Sequence, residues 1–77
     1  MRTVVISSDT VELFKLLKFE GLASSGGEAK MLIDAGKVKV NGSTETRKRK
    51  KLRSGDIVEF DGEKMLVRTD TLTSNNA

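Results

Sequence analysis

Five consecutive basic residues, Arg47 to Lys51, stand past the middle of this chain. No strand or helix face can bury such a run, because each unpaired charge withdrawn from water is heavily penalised. The run must therefore be a solvated loop or edge, and the core has to come from the segments on either side of it. Upstream, Lys37-Val38-Lys39-Val40 alternates with period two, so both valines face a core and both lysines face away. Asn41-Gly42 then supplies the strongest short signal for a β-hairpin, with Ser43 to Thr46 pairing back. Downstream, Leu52 returns to the core and Ser54-Gly55-Asp56 turns the chain. Ile57 to Phe60 reads as a strand, Asp61-Gly62 as a second hairpin turn, and Met65-Leu66-Val67 as the returning strand.

The first half reads as one strand and two helices. Arg2 to Ile6 favours β structure at an edge or flank, and Ser7 to Thr10 offers oxygens to cap a helix. Asp9 and Glu12 have the spacing of a capping box, and Leu13, Leu16 and Leu17 form a core stripe flanked by Phe14. Lys15 and Lys18 fall on the wet side, Gly21 stops the helix, and Phe19 and Leu22 are expected to pack near its end. Ser25-Gly26-Gly27-Glu28 opens the second helix, with Ser25 as cap and the Glu28 carboxylate expected to reach back to the Ser25 amide. Ala29, Leu32 and Ile33 share its inner face and Gly36 ends it, which leaves Lys30, Met31 and Asp34 toward solvent or a partner. Two glycines in a first turn weaken a helix, so Gly26 and Gly27 point either to a phosphate approaching exposed amides or to a sharp turn between packed helices. The expected architecture is α+β, a single domain over residues 1–68. Residues 69–77 carry one apolar side chain larger than Ala, Leu72, and read as a disordered tail.

Composition narrows the chemistry. The chain has no Cys, His, Trp or Tyr, which removes disulfides, the usual zinc ligands and the usual neutral-pH base, so neither a metal, a cofactor nor catalysis is expected. No apolar run approaches the roughly 20 residues that span a bilayer, and the Thr3-Val4-Val5-Ile6 run is too short for a secretory signal, so a cytoplasmic protein is expected. Residues 29 to 53 hold nine Lys or Arg against two acids, a net +7, while the other 52 residues hold five against nine, a net −4. Charge kept only for solubility would be interspersed; this asymmetry suits an anionic partner.

Taken in order, Leu13, Leu16 and Leu17, then Ser25-Gly-Gly-Glu-Ala-Lys, Leu32-Ile33, Gly36-Lys-Val-Lys-Val-Asn-Gly and Leu52 to Asp56 resemble the RNA-binding domain named after ribosomal small-subunit protein S-four. The likeness covers roughly residues 9 to 60 and is nearest to compact stand-alone bacterial members of the YbcJ type. It implies two packed helices against a small, mostly antiparallel sheet, the αL motif, with RNA along the second helix and the hairpin. The implied contacts are Ser25, Gly26, Lys30, Lys37, Lys39 and Asn41, although for Asn41 the geometry of the Asn-Gly turn is the stronger explanation and needs no ligand. Many family members carry basic residues where Gly26 and Met31 stand, and Arg47, Lys48, Arg49, Lys50 and Lys51 look like the compensation. With three aromatic residues, base stacking cannot dominate, so a monomer that grips structured RNA, ribosomal or transfer, through its backbone is expected. Arg47 and Arg49 are expected to make bidentate phosphate contacts. The competing reading is a protein-interaction module whose basic face docks an acidic or ribosome-associated partner. Duplex DNA fits less well, since no helix has a basic face able to read bases.

Overall fold

The computed structural model describes residues 1–70. In chain order the elements are β1 (Arg2–Ile6), β2 (Thr10–Glu12), α1 (Leu13–Phe19), α2 (Gly26–Asp34), β3 (Val38–Val40), β4 (Ser43–Thr44), β5 (Lys51–Arg53), β6 (Ile57–Phe60) and β7 (Glu63–Thr69). One sheet runs in the order β1-β7-β6-β3-β4, antiparallel except for the β1–β7 pair, and β2 with β5 forms a separate antiparallel ribbon. The fold is the expected α+β arrangement of two helices on a mostly antiparallel sheet.

Alternation decides which face meets the helices. Val38 and Val40 on β3, Val58 on β6, Met65 and Val67 on β7, and Val4 and Ile6 on β1 are all buried, and they form one cluster with Leu13, Leu16, Leu17, Ala29 and Ile33 from the helices. Lys39 alternates with its buried neighbours and stands on the far face, opposite Glu59, which is in turn opposite Lys64. The Asn41-Gly42 turn has φ of 52° and 87°, as a two-residue hairpin with right-handed strand twist requires. Both helices end in paired bonds around a left-handed glycine. At α2 the Gly36 amide donates to Ile33 and the Lys37 amide to Leu32, at 3.0 and 3.1 Å.

Several local expectations change. Thr10–Glu12 pairs as a strand with Lys51–Arg53, so Asp9 and Glu12 form no capping box, and α1 has no side-chain cap. The Leu13 and Phe14 amides donate instead to the Lys50 and Lys48 carbonyls at 2.9 and 3.1 Å. Two amides that every helix start leaves orphaned are thus satisfied by the backbone of the basic run. Ser25 caps α2, accepting from the Glu28 amide at 3.1 Å, but the Glu28 carboxylate reaches Ser24, at 2.5 Å from its amide and 2.9 Å from its hydroxyl. Phe19 does not pack at the end of α1; it is 68% exposed. Thr69 closes β7 and the Asp70 amide donates to Ile6 at 3.0 Å, so ordered pairing runs two residues past the expected boundary. The rest of the expected tail, residues 71–77, lies outside the described residues.

Candidate nucleic-acid interface

The basic run is pinned at both sides. Leu52, in the middle of β5, is fully buried, while Lys51 and Arg53 beside it are exposed. Because β5 pairs with β2, Lys51 lies opposite Glu12 and Arg53 opposite Thr10 on the outer face of the ribbon. Ahead of them Arg47, Lys48 and Arg49 are exposed, and a turn closed by the Lys50 amide on the Arg47 carbonyl at 3.2 Å shapes the loop.

Phe14 is where this loop meets the two helices. Its ring packs against the start of α2, where a methyl group added to Gly26 would touch Cε2 at 3.6 Å. Lys30 Nζ lies 4.6 Å from the ring centre, the Arg49 guanidinium carbon 5.4 Å and Lys15 Nζ 6.0 Å, within the range of cation–π attraction. Lys48 is joined to α2 through Asp34, with Nζ 3.9 Å from Oδ1.

Carboxylates temper this charge unequally. Glu45 holds Arg47 by a fork, with Nε and Nη2 donating at 2.9 and 3.1 Å, and also accepts from the Arg47 amide at 2.9 Å. The side-chain bond from Arg47 is the main reason that the Glu45 carboxyl is held down to about 2, and the same bond raises Arg47. The fork expected to meet phosphate is therefore already occupied. Glu12 is engaged more loosely. Its Oε1 is 3.5 Å from Arg49 Nη1 and 3.7 Å from Lys15 Nζ, yet this buried oxygen accepts no hydrogen bond. The Glu28 carboxyl is lowered, first by the Ser24 amide and then by its hydroxyl.

The other residues singled out in the sequence divide. Asn41 is engaged internally: its Oδ1 accepts from the Ile57 amide at 2.9 Å and its Nδ2 donates to Asp56 at 3.1 Å. Gly26 adjoins Phe14 at the start of α2, and Ser25 is the cap just before it. Lys37 is exposed just after Gly36, and Lys39 points away from the helical layer beside Glu59. The nine basic residues of the 29–53 window thus do not form one surface, because Lys39 stands across the sheet from Lys30. Sequence reasoning gave Phe14 and Lys15 no part in the site, and no signal tied Phe14 to a loop more than thirty residues away.

Among the described residues no cluster of acids offers a metal site, and no helix is long and apolar enough to cross a membrane. What is assembled is a capped helix pair, a Gly-x-Val-x-Val-Asn-Gly hairpin and a cationic loop on one small sheet. Residues 4–68 match the family model of the S4 domain. The chain belongs to the S4 domain family. This S4 domain is 51% identical over 57 residues to YbcJ of Escherichia coli (strain K12), an alignment covering 74% of this chain and 81% of that one. It is 34% identical over 59 residues to a Bacillus subtilis (strain 168) protein named "Probable ribosome maturation protein RlbA", covering 77% and 83% respectively. The solution structure of E. coli YbcJ, described as revealing an αL motif involved in RNA binding, superposes with a TM-score of 0.67 at 45% identity, covering 88% of this chain and 87% of that one. Ribosomal protein S4e of Thermoplasma acidophilum matches with a TM-score of 0.63 at 27% identity, over 75% of this chain but 31% of the longer S4e.

Proposed function

We propose that this S4 domain is a non-catalytic, cytoplasmic, monomeric RNA-binding protein whose one folded unit grips structured RNA through the basic loop and the adjoining face of the helix pair. The observation that carries the reading is the meeting of Lys30, Arg49 and Lys15 around Phe14, contributed by α2, the loop and α1, beside a loop whose backbone is fixed. Likeness to YbcJ, whose αL motif is described as involved in RNA binding, supports the nucleic-acid ligand. The name of the B. subtilis relative favours ribosomal over transfer RNA. Lys48, Lys50 and Lys51 complete the proposed contact set, with Ser25 and Gly26 at the margin.

About five phosphate contacts would give a log–log dependence of affinity on salt with a slope near −4, from about −0.7 to −0.9 per phosphate. Fluorescence anisotropy with folded ribosomal RNA fragments over a KCl series measures this directly. Replacing all of Arg47 to Lys51 by Gln is expected to lower affinity by at least about a hundredfold at low salt while the circular dichroism spectrum stays unchanged. Equal affinity in that variant refutes the assignment, and RNA-independent capture of an acidic protein would favour protein docking instead.

A further inference from the structure

The arrangement about Phe14 carries more than a general attraction for polyanions. Three cations from three separate segments have their heads within 6.0 Å of one ring centre. Two of them, Lys15 and Arg49, also flank a single Glu12 oxygen at 3.7 and 3.5 Å, so the two heads can stand no further apart than those distances together. The Glu12 oxygen is buried but makes no hydrogen bond, so neither cation is committed to it geometrically. The ring itself is held in place: it packs against the buried cluster, and its Cε2 and Cδ2 atoms lie beside Gly26.

We infer that Phe14 gathers Lys15, Lys30 and Arg49 into a clamp for two neighbouring phosphodiesters of one RNA strand, beside a Glu12 carboxylate whose buried oxygen hydrogen-bonds neither Lys15 nor Arg49. The inference rests on the RNA-binding reading and deepens it by naming the element that orders the contacts. Long basic side chains free in solvent lose rotamer freedom when they meet a ligand. Heads already attracted to a fixed aromatic face lose less, so the ring raises affinity without touching the RNA. Phosphate is the fitting ligand because it accepts several donors at once, which the orphaned carboxylate oxygen does not. Lys15 is thereby assigned a role that its place on the wet side of α1 conceals.

The test compares Phe14→Leu, Phe14→Tyr, Lys15→Gln and Glu12→Gln with the unaltered chain, using a folded ribosomal RNA fragment and a KCl series. Phe14→Leu is expected to weaken binding about tenfold, and Phe14→Tyr, which keeps the aromatic face, to bind as the unaltered chain does. Lys15→Gln should reduce the magnitude of the salt slope by about 0.7 to 0.9, the loss of one phosphate contact. Glu12→Gln should tighten binding by removing the resident anion. Wild-type affinity and slope in both Phe14→Leu and Lys15→Gln overturns the clamp while leaving RNA binding intact. Equal loss in Phe14→Leu and Phe14→Tyr overturns it too, as the mark of a packing role. Lys15→Gln keeps the test decisive if Phe14→Leu fails to fold. Failure of the unaltered chain to retain any RNA refutes the parent reading itself.

Discussion

Replacing Glu45 by Gln separates Arg47 as a structural partner from Arg47 as a phosphate ligand. In the folded chain the guanidinium is gripped at 2.9 and 3.1 Å by one carboxylate. Meeting RNA would exchange one anion for another, so Arg47 should release little counterion and add almost nothing to the salt slope. Freed by Glu45→Gln, it becomes a new contact, steepening the slope by about 0.7 to 0.9, which is roughly threefold in affinity between 50 and 200 mM salt. Arg47→Gln alone should leave the slope nearly unchanged, whereas on the Glu45→Gln background it should cancel the gain. Anisotropy titrations of the four proteins close this double-mutant cycle. A slope that flattens by nearly one unit in Arg47→Gln alone refutes the reasoning, as does a slope unmoved in Glu45→Gln. The pair also has a pH signature. The Glu45 carboxyl sits at about 2 in the folded state, below its ordinary value of 4.5. A depressed carboxyl adds stability that is fully present above the unfolded value and lost as pH falls through the folded one. The stability advantage of the native chain over Glu45→Gln should therefore persist above pH 4.5 and fade toward pH 2 in urea melts.

Leu52→Ala should cost about 3 to 5 kcal/mol, since the side chain is fully buried, and lower Tm by at least about 12 °C; a drop below about 4 °C would contradict the pinning of the loop. Asn41→Ala should cost about 1 to 3 kcal/mol through its φ of 52° and the acceptor taken from the Ile57 amide. Asn41→Gly, which relieves the backbone, should recover part of that loss in urea melts. Gly26→Ala should stabilise the fold by up to about 1 kcal/mol, because its new methyl meets Phe14 at an ordinary 3.6 Å. If RNA affinity falls in that stabilised variant the glycine serves close approach of the ligand, and if affinity is kept it serves the turn between the helices.

Elements specified by neighbours in sequence were legible. The Asn41-Gly42 and Asp61-Gly62 hairpins, the Ser25 cap, the Leu13, Leu16 and Leu17 stripe and the buried Leu52 each depend on residues a few positions apart, and each stands where periodicity and turn chemistry put it. Thr10–Glu12 was not legible as a strand, because three residues carry no usable period and their partner, Lys51–Arg53, is about forty residues away. Separation in sequence hid the Arg49–Glu12 pair, while the other pairings depended on which way the loop side chains turn. Charge counting found the basic window, but it could not pair Arg47 with Glu45, Lys48 with Asp34 or Arg49 with Glu12. Lys39 was readable as outward-facing; that outward meant away from Lys30 depended on which sheet face received the helices.

The unexpected start of α1 bears on how the loop would serve as the proposed binding element. A run of five cations repels itself, and left alone it would be an ensemble whose ordering on RNA opposes binding. Here the Lys48 and Lys50 carbonyls are the acceptors for the first amides of α1, so rearranging the loop would orphan donors at the end of a helix whose Leu13, Leu16 and Leu17 are fully buried. Leu52 anchors the other end with its own burial. The self-repulsion of the side chains is thus carried by backbone bonds and by the core, and the cost of holding the cations in place falls on folding. That division explains how a chain this small can present concentrated positive charge without losing its fold, and why cations tethered to Phe14 and the ribbon should outweigh an equal number on an unstructured tail.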